Sequence, residues 1–219
     1  MIRDKIQTEE YFQELFEWRF QCLKEAFDRF EKVKPENLLS HFRFRVIDHE
    51  DLLNIGYSLG KDVQELFPYY KGLLSDLKKI ASEGVPFYRA VDVFALGVLY
   101  SERKEEFLDD LKDIYAQMDH TDGLIEYYMT YLFHDMVVPF HSILEYQNMI
   151  EDTYESVAKA QGFWYYSHSD APWYNNYTKD TYVGYWSFDT AATCKIKGIY
   201  DERLKELEYF PYDLLVQGK

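Results

Sequence analysis

The chain is poor in cysteine, glycine, proline and positive charge, and it has no long hydrophobic run. Two cysteines, Cys22 and Cys194, stand far apart among 219 residues, and two reduced thiols are a simpler interpretation than one disulfide. Ten glycines and six prolines are too few for a loop-rich all-β fold. The longest apolar stretch, 93–100, is too short to cross a bilayer, and the polar residues 1–5 are unlike a signal peptide. We therefore expect a cytoplasmic protein that does not contact membranes.

The deficit of positive charge makes nucleic acids and anionic membranes poor partners for this chain. The sequence has 24 Lys and Arg against 39 Asp and Glu, a formal net charge of -15. Proteins that bind DNA or RNA directly normally carry the opposite sign, because they neutralise phosphates. An anionic membrane surface would also repel the chain, whereas a basic protein would attract it. The expected partner is therefore a basic protein, with no direct contact to nucleic acid.

Aromatic residues are abundant, at 19% of the chain, and the spacing of apolar residues is helical. Apolar residues recur every three or four positions, and no strand-like alternation of useful length occurs. We predict an all-α fold, a single compact body of about eight helices with a long aromatic loop, 162–181, before the last long helix. Its two halves, 1–85 and 86–219, are expected to share one core.

The predicted helices follow this spacing and its stop signals. They cover 8–33, 36–59, 63–82, 87–100, 103–117, 122–134, 140–161 and 183–197, with a short helix at 201–207 and an end at Pro211. Thr8 is a suitable N-cap for the first helix, which has enough aromatic residues to be covered on more than one side. Asp62, with a glutamate three positions later, resembles a capping box at the start of the third helix. Pro68 interrupts this helix, and we expect a restart there. The fourth is nearly all apolar and is predicted to be the central buried helix. The short apolar run 136–140 is ambiguous between helix and strand.

Residue patterns typical of catalysis are missing from the sequence. It has no Gly-x-Ser-x-Gly, no Cys-x-x-Cys, no glycine-rich phosphate loop and no Glu-x-x-His of the kind that di-iron bundles repeat. We therefore predict no enzyme, no catalytic residue, no metal and no cofactor, and we interpret all six histidines as structural, hydrogen-bonded at helix ends. The alternative is an all-helical metal-dependent enzyme that uses His134, Asp135 and His141, with further ligands from other helices.

The most acidic stretch, 105–126, contains eight acidic residues and one lysine. On a continuous helix, Glu105, Asp109 and Asp113 would form one row, with a second row beside it. Like charges at i, i+4 destabilise a helix by roughly 0.2–0.5 kcal/mol per pair. Such a surface is either a solvated helix face or a contact surface for a basic partner.

The most aromatic stretch, 163–186, has ten aromatic residues in 24, including three of the four tryptophans. If these rings were exposed, they could stack on sugar rings or bases. The interpretation that we prefer is a loop pinned to the body of the protein, where it forms a small core of its own.

Two segments near the C-terminus resemble the signature of the PoNi-type immunity proteins, the partners of PoNe polymorphic nuclease toxins. The first opens an alanine-rich helix and consists of Gly184, Tyr185, Trp186, Ser187, Phe188 and Asp189. The second closes the domain and consists of Tyr209, Phe210, Pro211, Tyr212, Asp213 and Leu214. The N-terminal half is similar to that of the family too, with Arg3-Asp4-Lys5 before a long aromatic helix and Tyr57-Ser58-x-Gly60 at the end of the next.

The chain departs from the family pattern at two places. Asp189 stands where the family has Glu more often, and 200–203 is more charged than the usual turn. These departures concern which toxin is matched, and the resemblance itself covers almost the whole chain.

The resemblance implies an all-helical bacterial protein that binds a DNase toxin and blocks it. The charge agrees with this independently, because a nuclease presents a basic groove to its substrate and an acidic protein can fill or flank that groove. We expect the signature residues themselves to be structural: Gly184, Tyr185, Trp186, Phe188, Asp189, Pro211 and Asp213.

Charge density alone motivates our hypothesis for the toxin-binding surface. It consists of seven acidic residues: Glu105, Glu106, Asp109, Asp110, Asp113, Asp119 and Asp122. A general acidic scaffold that mimics DNA and binds several basic partners is a further alternative.

Overall fold

Helices and their connections make up the whole of the chain that the structure describes. This structure is a computed structural model, and it describes residues 2–119 and 121–218. Over those residues it has no strand, six short 3-10 segments and nine α-helices, which confirms the predicted all-α fold. The helices are α1 (Glu9–Arg29), α2 (Leu38–Ser58), α3 (Val63–Leu77), α4 (Phe87–Leu99), α5 (Leu108–Ala116), α6 (Gly123–His134), α7 (Tyr154–Ser167), α8 (Phe188–Lys197) and α9 (Tyr212–Val216). Met1, His120 and Lys219 lie outside the described residues.

The chain divides into two compact units, each built from more than one segment. Unit 1 comprises Met1–Gly84, Asp110–Gln117 and Asn175–Tyr185. Unit 2 comprises Val85–Asp109, Met118–Tyr174 and Trp186–Lys219. The predicted halves, 1–85 and 86–219, with one shared core stay a prediction.

In unit 1, α1 packs mainly against α2, and α2 packs against α3. Thr8 is the N-cap of α1, since its side chain accepts a hydrogen bond from the amide of Tyr11 at 3.2 Å. The expectation that α1 is covered on more than one side is wrong. Trp18, Phe20 and Phe27 are 55%, 48% and 49% exposed, because α2 is the main neighbour of α1 and covers one side of it.

A buried ion pair joins the helices of unit 1. Arg45 on α2 lies 2.8 Å from Asp76 on α3, and both side chains are buried. The ring of Phe27 on α1 lies 3.8 Å from the Arg45 guanidinium, and His49 lies 3.4 Å from the second Asp76 oxygen. Removing one member would leave an unpaired buried charge, which costs about 3–5 kcal/mol.

In unit 2, α4 is the central helix, as its sequence predicts. It packs against α6 and α8, and nine of its thirteen residues are buried. Helix α8 packs further against α7 and α9. Cys194 on α8 is a buried free thiol, and burial raises its pKa.

Helix α3 runs through Pro68 without the predicted restart. The proline lies on the exposed side of the helix. Proline has no N–H to donate to the carbonyl one turn earlier in the helix. On this exposed side, water can hydrogen-bond to that carbonyl instead. Asp62 begins the helix as predicted, because its side chain accepts from the amide of Gln64 at 2.7 Å.

The predicted helix 103–117 is interrupted. A 3-10 segment, Ser101–Glu106, ends at Phe107, whose φ of -143° is not helical, and α5 begins only at Leu108. Phe107 is buried, so the break turns an apolar ring inward.

The predicted helix 140–161 is wrong in its first half. Helix α7 starts at Tyr154 and extends to Ser167, so it also includes the first residues of the predicted loop. Before α7, side chains form the hydrogen bonds that helical backbone would form with itself. The amide of Ser142 donates to the Asn148 side chain at 2.9 Å, and the carbonyl of Ser142 accepts from that side chain at 2.7 Å.

Three smaller boundaries differ near the C-terminus. Helix α8 starts at Phe188 rather than 183, and the predicted helix 201–207 is a 3-10 segment, Glu202–Glu206. After Pro211 the chain continues as α9 instead of ending its helical part there. Within the described residues, no helix is long and apolar enough to cross a membrane.

Tyr127 on α6 provides a test of the unit 2 core. Its hydroxyl is buried without a hydrogen-bond partner among the described residues, and burial raises its pKa from 10.0 to about 12. The folded state then holds the proton longer than the unfolded state, so this residue stabilises the fold below pH 10 and loses that contribution as the pH rises above 10. We expect Tyr127→Phe to be neutral or stabilising at pH 7. It should gain a further ~1 kcal/mol over the unaltered chain between pH 9 and pH 11 in urea unfolding.

The matched control is Tyr166→Phe, since Tyr166 is 70% exposed. Its stability relative to the unaltered chain should not change between the two pH values. An equal pH effect in both variants would contradict the assignment.

Candidate functional site

The acidic residues of α5 divide into exposed and internally paired ones. Asp109 and Asp113 lie one turn apart and are exposed. Asp110 is half-buried and forms an ion pair with Lys78. That hydrogen-bonded pairing raises the pKa of Lys78. Only part of the predicted acidic row on this helix therefore faces solvent.

Glu105 and Glu106 precede α5 and are exposed on the 3-10 segment. The predicted continuous helical row through Glu105, Asp109 and Asp113 is wrong, because the chain leaves the helical conformation at Phe107. Glu106 also pairs with Arg103 at 2.7 Å.

Asp119 and Asp122 have different surroundings. Asp119 is exposed. Asp122 caps α6 by accepting from the amide of Leu124 at 2.9 Å. It also accepts from the hydroxyl of Ser142 at 2.7 Å and from the amide of Ile143 at 3.0 Å. Both of its oxygens are thus used to hold the segment after α6. The toxin-binding role of the seven acidic residues stays a prediction.

His134, Asp135 and His141 do not form a metal centre. Within residues 2–119 and 121–218, no three His, Cys, Asp or Glu side chains are placed to share a metal ion. Asp135 ends α6 with a φ of 50° and pairs with Lys104 at 2.8 Å, and both histidines are exposed.

The histidines differ in their surroundings. His168 fits the prediction of a hydrogen bond at a helix end, since its Nδ1 lies 2.7 Å from the carbonyl oxygen of Trp164 at the end of α7. His49 is instead buried in the middle of α2 beside Asp76. The predicted role of His120 falls outside the described residues.

Asp189 is the best-defined polar site of unit 2. The residue is 1% exposed and lies in the first turn of α8. Its carboxylate accepts from the indole N–H of Trp164 at 3.1 Å, from the amide of Gln147 at 2.9 Å and from the hydroxyl of Tyr146. The Tyr128 hydroxyl donates to the Asp189 carbonyl at 2.9 Å. Neutral donors and the helix N-terminus therefore stabilise this buried charge.

The same site explains the raised pKa of its tyrosines. Burial raises the pKa of Tyr128 and of Tyr146 well above 10.0, and the charge of Asp189 raises both further. Both hydroxyls therefore remain protonated donors at neutral pH. Residue spacing does not reveal these partners, because Gln147 and Tyr146 lie more than 40 positions from Asp189.

The two signature segments meet at Ser187. Its amide donates to the carbonyl of Tyr209 at 2.9 Å, and its hydroxyl donates to Gln161 at 2.9 Å. Phe188 and Pro211 are buried, Trp186 is half-buried, and Asp213 is exposed in the first turn of α9. Ser187 is a member of the first signature segment, but its partners lie too far along the chain for residue spacing to indicate this role.

The first two residues of that signature belong to unit 1, and the two residues before them, Tyr182 and Val183, contact Asp4 and Ser58 there. Gly184 has a φ of 109°, which favours glycine, and the Tyr185 hydroxyl donates to Asn176 at 2.9 Å. The Tyr182 hydroxyl donates to the carboxylate of Asp4 at 2.6 Å. The Ser58 hydroxyl donates to the carbonyl of Val183 at 3.0 Å.

Arg3 completes the N-terminal motif. Its guanidinium donates to the carbonyls of Tyr57 and Lys61, at 2.9 Å each, and lies over the Tyr57 ring. The amide of Arg3 donates to the carbonyl of Ser58 at 2.8 Å. The end of α2 is thereby held by the residues that precede α1.

The first part of the aromatic stretch, up to Tyr174, packs into a small aromatic core in unit 2, as the preferred interpretation predicts, whereas 175–185 belongs to unit 1. Trp164 is buried and stacks on Trp173 with ring centroids 5.5 Å apart. Tyr165 contacts Tyr174 at 4.7 Å and Tyr209 at 5.5 Å. Only the outer rings of the stretch, Phe163, Tyr166 and Tyr177, are largely exposed.

Comparison with known families assigns the chain over nearly all of its length. Residues 3–113 match the family described as PoNe immunity protein (PoNi), N-terminal, and residues 125–214 match PoNe immunity proteins (PoNi), C-terminal. The chain belongs to the PoNe immunity protein family, which supports an immunity role. Searches of curated proteins and of solved structures gave no match.

The structural role of Asp189 is testable with Asp189→Asn. The amide keeps the shape of the side chain but removes the charge and turns an N–H₂ group toward one of the three donors. We expect a loss of about 2–4 kcal/mol in the free energy of unfolding, measured in urea.

Asp28→Asn is the control, because Asp28 also lies on a helix, α1, but is exposed. It should change stability by less than about 0.5 kcal/mol. Equal stability of the two variants would show that the buried carboxylate does not stabilise unit 2.

Proposed function

We propose that this chain binds a PoNe-type nuclease toxin in the cytoplasm and blocks its DNase activity by direct contact, without catalysing a reaction. Membership of the PoNe immunity protein family, over segments that together span 3–113 and 125–214, carries the proposal. The cytoplasm follows from the function, because a DNase threatens the cell where its DNA lies.

The charge of the chain supports this proposal. A DNase binds phosphates through basic residues, and the present chain has a formal net charge of -15. Complementary potentials raise the rate of association and orient the two surfaces as they meet. An acidic protein on or beside the basic groove also repels DNA from it.

We place the acidic contact on α5 and its neighbours. The exposed members of the predicted set are Glu105, Glu106, Asp109, Asp113 and Asp119. Glu106 stays exposed although it pairs with Arg103, whereas Asp110 and Asp122 are half-buried and bound within the chain. They support the surface and do not contribute free charge to it.

The decisive experiment takes as the candidate partner the product of the open reading frame beside the one that encodes this chain, and first tests whether that product is a nuclease. The two proteins are co-expressed, purified through a tag on this chain, and the partner is tested for plasmid cleavage alone and in the complex. We expect a stable complex in which cleavage is blocked. An active nuclease that neither binds nor is inhibited would refute the proposal. Equal inhibition of an unrelated DNase would favour the general DNA mimic.

The acidic contact is tested by reversing Asp109 and Asp113 together, as Asp109→Lys with Asp113→Lys. We expect association with the nuclease to slow by roughly tenfold or more at low salt, since steering depends on complementary charge, and by less at high salt. Stopped-flow or surface-plasmon measurements at two salt concentrations give the rate constants.

The control is Glu14→Lys with Glu17→Lys, which reverses two exposed acids on α1 and changes the net charge equally. If both double variants slow association to the same extent, the association rate depends only on the net charge of the chain, and the acidic residues of α5 do not form the contact surface.

A further inference from the structure

The segment after α6 lies extended along that helix. Helix α6 has 12 residues and is thus ~18 Å long. The segment starts at Asp135, at the C-terminal end of α6, and returns to its N-terminal end, where Asp122 binds Ser142 and Ile143. Asp135 and Ser142 are seven positions apart, so covering ~18 Å takes ~2.6 Å per residue, well above the ~1.5 Å of a helix and nearer to the ~3.3 Å of an extended chain.

Contacts at two points fix this segment on α6. Phe140 packs on Tyr127 with ring centroids 4.6 Å apart. At the N-terminus of α6, a Cβ on Gly123 would collide with the carbonyl oxygen of His141, so the two backbones touch there. The segment is therefore held in place along α6 and presents a defined surface.

The outward side of the segment is apolar. Met136, Val137 and Ile143 are 53%, 61% and 72% exposed. Ile143 keeps this exposure although its own amide is tied to Asp122 at 3.0 Å. Large apolar side chains held in water on a fixed scaffold are typical of a protein contact surface.

The backbone of the segment is also unpaired. Within the described part of the chain, no hydrogen bond joins the backbone of 136–140 to another residue. Extended backbone with free N–H and C=O groups offers main-chain hydrogen bonds to a partner.

The surrounding sequence is acidic without interruption. From Met118 to Ala158, within unit 2, there are eight Asp and Glu residues and no Lys or Arg. Asp135 and Glu145, at the two ends of the apolar segment, are both exposed. Cations from elsewhere in unit 2 pair with three of these eight acids: Lys104 with Asp135, Lys197 with Asp152 and Arg203 with Glu155. An apolar centre with an acidic rim complements a partner with an apolar centre and a basic rim.

We propose that 136–143 is the apolar centre of the surface on which the toxin docks, with Met136, Val137 and Ile143 as the residues that it buries. This inference rests on the proposed function, and it names a surface distinct from the acidic residues of α5. The acidic rim attracts the basic nuclease, and the apolar side chains slow its dissociation.

The test uses Val137→Lys with Ile143→Lys and, as the probe, a catalytically inactive variant of the nuclease identified in the co-expression experiment. Both positions are exposed, so the fold should tolerate the change, and thermal unfolding checks this. We expect the Kd to rise at least about 30-fold, mainly through faster dissociation. The control is Phe44→Lys on α2, which is 67% exposed in unit 1 and should change the Kd less than about threefold.

Amide hydrogen exchange on the unaltered complex gives a second readout that needs no variant. The amides of 136–143, except Pro139, should exchange more slowly in the complex than in the free chain. If the unaltered chain binds the nuclease but the double variant binds equally well and these amides are not protected, the inference is wrong and the proposed function stands. A nuclease that does not bind the unaltered chain refutes both.

Discussion

The interaction on which unit 2 depends most is the set of hydrogen bonds around Asp189. A buried carboxylate without a cation is costly, because it gives up its hydration. Here three neutral donors and the N-terminus of α8 replace that hydration, and the donors come from α7 and from the 3-10 segment Gln147–Met149 with the residue before it. Each donor must therefore stand at a fixed position relative to α8. Because α8 also packs against the central helix α4, the position of α8 that Asp189 requires also determines how the apolar core is packed.

The carboxylates of this chain divide into those that bind other groups inside the fold and those that are exposed to solvent. Five carboxylates have hydrogen-bond or ion-pair partners within the fold and so stabilise it: those of Asp4, Asp76, Asp110, Asp122 and Asp189. The acids that remain exposed can act at longer range, where they affect the rate of encounter with a charged partner. The lifetime of a complex depends instead on buried apolar contacts. Exposed acidic residues therefore account for the rate of association but not for slow dissociation.

Local signals in the sequence predicted much of the fold. Apolar spacing identified α4 as a buried helix, and the caps Thr8 and Asp62 mark real helix starts. The failures have non-local causes. The stretch before α7 is not helical because the side chains of Asp122, 21 positions from Ile143, and of Asn148 bind its backbone. For the candidate surface, the sequence showed where acids are dense, but the partner of Asp110 is 32 positions distant and cannot be read from spacing.

The membership of 175–185 in unit 1 has a consequence for synthesis. The Asp4 carboxylate and the Ser58 hydroxyl meet their partners, Tyr182 and Val183, only after the larger part of unit 2 has been translated. At typical rates, the roughly 100 residues between Gly84 and that segment take about 5–20 s to make. The first helices of the chain therefore leave the ribosome early but cannot reach their final packing until late. A cell that makes the toxin and this chain together gains protection from complete chains, and not from those still growing.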